Sequence, residues 1–334
     1  MDWYEGLPKI ELHVHLEGAI PHPALFELVQ KYGGDPAVPD AAALARRFTY
    51  RDFPHFIETW IWKNRFLREY EDFAYIAEAA ARDLARQNIR YAEMFYSPSS
   101  FARRGLAVGE LTQAVRRGMS RVPQVEIALV ADLVRDFGPA EEMRTLEALK
   151  EVRDCGVIGI GIGGSEHAFP PEPFAALYRE ARRMGFRTTA HAGEAAGPDS
   201  VWGAVRALEA GRIGHATRAI EDPVLLDHLA EHRIPVECCP VSNVRTGAVA
   251  SLQDHPIRRY FERGLLVSVN TDDPAMFGTS LADEYRQLVE QCGFSRGDIL
   301  ALLHRTIESS WLPEGRKIRL ADEISAAPAL PPEP

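Results

Sequence analysis

Short runs of apolar and β-branched residues recur along the chain, at residues 10–14, 89–95, 125–131, 157–162, 187–190, 212–214, 235–239 and 265–269. Runs of this length, bounded by polar or glycine-containing stretches, predict buried strands. Between them the apolar spacing changes to that of helices. Phe73, Ile76, Ala80 and Leu84 share one helical face before the second run, and Phe174, Leu177 and Ala181 do so before the fifth, where Gly185 supplies a stop. Leu225, Leu226 and Leu229 repeat the pattern before the seventh. Strands alternating with helices predict a parallel sheet, and about eight of them predict an α/β fold of the (β/α)8 TIM-barrel type. A doubly wound open sheet is the alternative, but no GxGxxG follows the first strand.

The interval between the first two runs is too long for one crossover helix, so extra helices are expected to be inserted after strand one. The segment 40–70 carries Phe53, Phe56, Trp60, Trp62 and Phe66. These aromatics either cap the barrel mouth over a ligand or form ordinary core between helices. A single domain is expected over residues 1–325, with the Ala- and Pro-rich stretch 326–334 as a flexible tail.

Charge changes the range of partners. With 38 Lys and Arg against 48 Asp and Glu, the formal charge is −10. That balance argues against a nucleic-acid polyanion as the main partner, since such affinity rests on clustered basic residues. It leaves a nucleoside or a free base open. The four cysteines, Cys155, Cys238, Cys239 and Cys292, have no CxxC spacing, which suits a reducing, cytoplasmic compartment. The start Met1-Asp2-Trp3-Tyr4-Glu5 lacks a secretory signal, and no stretch approaches the roughly 18 apolar residues of a membrane helix. A soluble protein that does not act at a membrane is expected, and its oligomeric state is left open.

Three groups of chemically capable residues fall at predicted strand ends. His13-Val14-His15 places two imidazoles on one side of strand one, because side chains two apart on a strand point the same way. His191-Ala192-Gly193-Glu194 follows strand five, and Asn270-Thr271-Asp272-Asp273-Pro274 follows strand eight. Each has a bland counterpart: a hydrogen-bonded histidine pair, a helix-entry glutamate, an Asx turn before proline. In a closed barrel the three strand ends converge on the face where barrel active sites are built. Three imidazoles and one carboxylate then form a hard N/O donor set suited to one catalytic Zn2+, which lowers the pKa of a bound water toward neutrality. His215, after strand six, is placed either to orient that water or to help bind the metal.

The stretches HVHLEG, HAGEAAGP, RIGHATRAIED and NTDDPAMFG, in this order from about Leu7 to Leu312, resemble the adenosine deaminase family within the amidohydrolase-like barrels. The part from His191 to Asp222 is especially similar to bacterial adenosine deaminases. The resemblance implies a zinc-dependent hydrolytic deaminase that converts a 6-aminopurine nucleoside to the 6-oxopurine and ammonia. It implies His13, His15, His191 and Asp272 as zinc ligands. It implies Glu194 as the acid that protonates N1 while hydroxide attacks C6, and His215 as the residue that positions the hydroxide. Asp273 is implied to contact N7, and the Gly164 backbone N3.

One departure concerns the substrate. The family usually shows HxHLDG, with the aspartate reaching the ribose 5′-hydroxyl, whereas this chain has Glu17, as relatives acting on free adenine do. The stretch Ser165-Glu166-His167-Ala168-Phe169-Pro170-Pro171 also differs from the Ala-Gly-Asp-Glu form of familiar adenosine deaminases. Adenosine and deoxyadenosine lead, with adenine and aminodeoxyfutalosine, an adenosine analogue extended at C5′, as alternatives. Glu17 has a structural alternative as a cap on the turn at Gly18. A two-metal hydrolase of the lactonase or phosphotriesterase kind is disfavoured, because strand four, Val157-Ile158-Gly159-Ile160-Gly161-Ile162-Gly163-Gly164, carries no lysine and leaves space for a flat ring. The HxE/PCxxC zinc deaminases are excluded by the Cys238-Cys239-Pro240 spacing. A non-catalytic binding protein would be expected to have lost a ligand or the glutamate. Cys238, Ser242, Asn243 and Arg245 after strand seven are left without a role.

Overall fold

The computed structural model describes residues 2–50 and 53–326, with nothing described for the side chains of Phe53 and Pro54. The expected tail beyond Ala326 therefore lies outside the described residues. Eight strands form one parallel sheet in sequential order: β1 (Lys9–His15), β2 (Ile89–Tyr96), β3 (Glu126–Val134), β4 (Val157–Gly163), β5 (Arg187–Ala192), β6 (Arg212–His215), β7 (Val236–Cys238) and β8 (Val267–Val269). All eight expected runs are strands. Their ends differ where a polar residue continues the ladder, as in β3, which runs past Ala131 through Asp132 to Val134. The expected helical faces lie on Tyr70–Arg86, Ala175–Arg183 and Pro223–Glu231. Helices Ala41–Arg47 and Phe53–Asn64 occupy the interval after β1.

The sheet curls round to meet itself across a short seam. The Asp272 amide donates to the His13 carbonyl (3.0 Å), and the His15 amide donates to the Asp272 carbonyl (2.8 Å), one isolated parallel bridge between Val14 and Asp272. Below it, the Leu12 amide donates to the side-chain oxygen of Asn270 (2.8 Å), so an amide side chain stands in for the ladder where β8 has ended. The result is a (β/α)8 barrel, closed by side chain as well as by backbone.

The alternating glycines of β4 show how the interior is filled. A Cβ on Gly161 would lie 2.8 Å from the Phe95 ring, and one on Gly163 would lie 2.9 Å from Asp132 Oδ2. The room at these two glycines, expected to admit a flat ring, is occupied by side chains from β2 and β3. Ile160 and Ile162 are buried in the main apolar core.

Near the base of the barrel, the fully buried Arg212 pairs with Glu93 (2.5 Å) and Glu237 (2.6 Å), and its guanidinium lies 3.6 Å from the Trp311 ring centroid. Removing one partner of a buried ion group strands the remaining charges without solvent. Arg212→Met is expected to lower unfolding stability by about 3–5 kcal/mol, measured by denaturant unfolding. A loss below about 1 kcal/mol, the range of an exposed pair, would contradict this account.

Candidate metal centre and active site

At the C-terminal end of the barrel the expected residues come together. His15 Nε2 lies 3.2 Å from Asp272 Oδ1 and 3.3 Å from His191 Nε2, and His13 Nε2 lies 3.5 Å from Asp272 Oδ1. His13, His191, His215 and Asp272 each offer a ligand atom within 4.8 Å of the others, and His15, Asp132 and His191 form a second, overlapping group. His215 and Asp272 both take left-handed backbone conformations, with φ of 61° and 62°. Non-glycine residues adopt this region at a cost, met where surrounding structure enforces it. Here it turns each side chain at the abrupt end of its strand.

The outer partners determine what the imidazoles present. His13 Nδ1 faces Glu237 Oε2 at 2.7 Å, and His191 Nδ1 faces the Ile162 carbonyl at 3.1 Å. Both partners only accept, so each Nδ1 carries a proton, and in the neutral ring Nε2 keeps its lone pair for the cluster. His13 Nε2 is buried with no hydrogen-bond partner among the described residues. A lone pair of this kind, beside two more imidazoles and a carboxylate, fits a divalent metal. Ser242 donates to Asp272 Oδ2 (2.6 Å), leaving Oδ1 toward the histidines. Although burial opposes its charge, Arg212 and His13 hold the Glu237 carboxyl below the usual range, so it remains an anion behind His13.

Glu194 stands beside this cluster, with Oε2 3.5 Å from His215 Nε2. Burial, followed by the charges of Asp272 and Glu166, pushes its carboxyl up to about 8. Its loop is organised from below by Glu166, whose carboxylate accepts the backbone amides of Gly193, Glu194, Ala195 and Ala196. Asp273 is likewise pushed up to about 7 by burial and the neighbouring Asp272. Gly18 makes room for it, since a Cβ there would come within 1.7 Å of Asp273 Oδ1.

A cavity of about 730 Å3 opens over these groups. Its walls include His15, His191, Glu194, His215, Asp272, Asp273 and Gly164, the last with φ +98°, where a side chain would be strained. Phe56, Ile57 and Trp60 of the inserted helix cover one side, whereas Trp62 and Phe66 pack into the main core. The two readings of that aromatic segment thus divide by residue, with Phe53 outside the description.

Two expected site residues do not reach the cavity wall: His13, which joins the donor cluster, and Glu17. Glu17 is buried, Oε1 accepts the Ser97 amide (3.0 Å), and its own carbonyl accepts from Lys63 Nζ (2.6 Å). Its other oxygen, Oε2, is buried with no hydrogen-bond partner among the described residues, and Ser97 itself lines the cavity. Sequence reasoning also missed Asp132, Glu166 and Glu237. Asp132 directly follows an expected strand, the same signal that marked the other strand ends. Nothing local distinguished Glu166 or Glu237.

The family model described as adenosine deaminase matches residues 8–327. The chain belongs to the adenosine deaminase family. It is 38% identical over 325 residues to an aminodeoxyfutalosine deaminase of Streptomyces avermitilis, covering 96% of this chain and 90% of that one. The adenine deaminase structure from Arthrobacter aurescens superposes with a TM-score of 0.90 at 31% identity, over 96% of this chain and 98% of that chain. An amidohydrolase structure from Burkholderia ambifaria with bound Zn gives 0.86 at 28% identity, over 97% and 94%. The protein is therefore a family deaminase, a hydrolase of C–N bonds in cyclic amidines, with a His/Asp cluster able to hold a metal. Among the described residues no helix is long and apolar enough to cross a membrane.

The division of labour between adjacent carboxylates is open to a direct check. Asp272→Ala is expected to purify with little bound metal. Asp273→Ala and Gly18→Ala are expected to keep the metal and bind purine more weakly. Equal metal content by elemental analysis in Asp272→Ala and Asp273→Ala would overturn the division.

Proposed function

We propose that this family deaminase is zinc-dependent and acts on a 6-aminopurine nucleoside, adenosine or deoxyadenosine, with one zinc held by His13, His15, His191 and Asp272. The observation that carries the reading is Glu194, a half-buried carboxyl pushed up to about 8, in the wall of a cavity shared with His15, His191 and Asp272. The zinc-containing neighbour from Burkholderia ambifaria supports the choice of metal. When bound, zinc supplies a water activated for nucleophilic attack at neutral pH.

The chain's own groups do the rest. Attack at C6 places charge on the ring, and Glu194 relieves it by delivering a proton to N1. His215, whose Nε2 lies 3.5 Å from Glu194 Oε2, steadies the attacking water. Asp273, with its carboxyl pushed up to about 7, can hold a proton and donate it to the acceptor N7. The Gly164 amide donates to N3. After attack one of the water's two protons passes by way of Glu194 to the exocyclic nitrogen, and the other stays on Glu194 and restores the acid. The C6–N bond then breaks, ammonia leaves with the bonding pair, and the 6-oxopurine remains.

A second reading is favoured by the size of the cavity. Its volume of about 730 Å3 lies toward the upper part of the roughly 300–1,000 Å3 range of small-molecule sites. Beyond the charged floor its walls include Phe56, Ile57, Trp60, Ser97, Ser100 and His167. Such space suits a nucleoside extended at C5′, in keeping with the similarity to aminodeoxyfutalosine deaminase.

Ammonia release and the ultraviolet change, measured on metal-analysed enzyme, compare adenosine, deoxyadenosine, adenine and aminodeoxyfutalosine by kcat/KM. The nucleosides are expected to exceed free adenine, and preference for adenine would overturn the nucleoside assignment. Glu194→Gln should keep its zinc and lose on the order of 10²–10⁴-fold in kcat. Near-normal turnover in that variant would remove Glu194 from the chemistry.

A further inference from the structure

Behind His215 lies a chain of hydrogen bonds whose direction is set by one backbone amide. The Ile257 N–H can only donate, and it donates to His255 Nδ1 (3.2 Å). That nitrogen therefore carries the lone pair. His255 is buried, which pushes its pKa down to about 3 and keeps the ring neutral, so its proton sits on Nε2. His255 Nε2 faces Asn243 Oδ1 at 3.2 Å, and a donor there requires the amide oxygen, not the nitrogen, to point at it. The Asn243 Nδ2 group is then turned the other way. It reaches His215 Nδ1 at 3.1 Å and Glu194 Oε1 at 3.3 Å, one proton toward each.

Resting on the deaminase reading above, we infer that Asn243, oriented by His255, is a positioning residue that fixes His215 in the Nε2–H tautomer and holds Glu194 beside it. His13 and His191 are held the opposite way, with the proton on Nδ1 and the Nε2 lone pair facing the cluster. The same ring type thus does two jobs by tautomer alone. His13 and His191 present lone pairs to a metal, whereas His215 presents a hydrogen-bond donor to the attacking water and leaves the ligand set. Asn243 is fully buried and part of the helix Pro240–Arg245, so its amide cannot be replaced by solvent.

The tautomer is read by long-range proton–nitrogen correlation on protein labelled with ¹⁵N-histidine, with and without zinc, the His215 signals being assigned by their loss in His215→Gln. Wild-type protein is expected to show a protonated Nε2 and a bare Nδ1 at His215. Asn243→Asp offers only acceptors to Nδ1 and should move the proton to that nitrogen. Its kcat should fall by roughly 10²–10⁴-fold, with a smaller change in KM, as misplaced imidazole protons do elsewhere. His255→Leu leaves Asn243 free to turn and should give mixed His215 tautomers. His255→Gln, which restores a donor to Asn243 Oδ1, should recover much of the loss. A protonated Nδ1 in the wild-type protein, or an unmoved proton in Asn243→Asp, would overturn the inference. Both are read without turnover. A protein silent toward all four 6-aminopurines would overturn the functional reading while leaving the tautomer result standing.

Discussion

Closure of the barrel at the β8–β1 seam runs through Asp272, whose amide and carbonyl bond the backbones of His13 and His15. The Asp272 carboxylate stands among the same histidines it ties down, 3.2 Å from His15 and 3.5 Å from His13. The seam and the donor cluster therefore have one geometry. Displacing β8 relative to β1 would move a carboxylate donor away from two imidazole donors, so the register that completes the fold also sets the spacing of the site. Asn270 and Glu11 reinforce it. The Asn270 side chain accepts the Leu12 amide, and Glu11 accepts from the backbone and hydroxyl of Thr271.

Charge explains why such a site persists in a buried place. The barrel interior holds Glu93, Asp132, Glu237, Asp272 and Asp273, all nearly inaccessible, with Glu194 at the cavity wall. Burying carboxylates is costly unless each finds a partner. Arg212 answers for Glu93 and Glu237 at the base, and the histidines answer for Asp272. At the cavity, Asp132, Asp273 and Glu194 are pushed up to about 6, 7 and 8, in each case first by burial. The Asp272 carboxylate stands beside His13 Nε2, where a cation finds ligands. Asp273 and Glu194 are raised far enough to hold protons at the cavity wall.

Much of this was legible in the sequence. All eight strands were readable because a parallel barrel buries both faces of each strand and so writes them as apolar runs. The chemistry at the ends of β1, β5, β6 and β8 was readable for a related reason: polar residues stop an apolar run where the chain leaves the barrel. His13, His15, His191, Glu194, His215, Asp272 and Asp273 all occupy such positions, and the structure brings them within one site.

Other features had no local signature. Glu237 lies within a strand, and only the approach of β1 and β6 makes it the partner of both His13 and Arg212. Glu166 gathers the amides of a loop more than 25 residues away in sequence, as the separations of 27 to 30 show. Glu17 sits in a motif that suggested substrate contact, and only the packing of β1 against the loop after β2 sets its Oε1 on the Ser97 amide. The sequence by itself determined the barrel and the residues that can do chemistry, because burial pattern and side-chain type are local properties. Tertiary structure alone decided which oxygen faces which nitrogen. Proton positions and substrate room depend on contacts between strands that sequence distance does not encode.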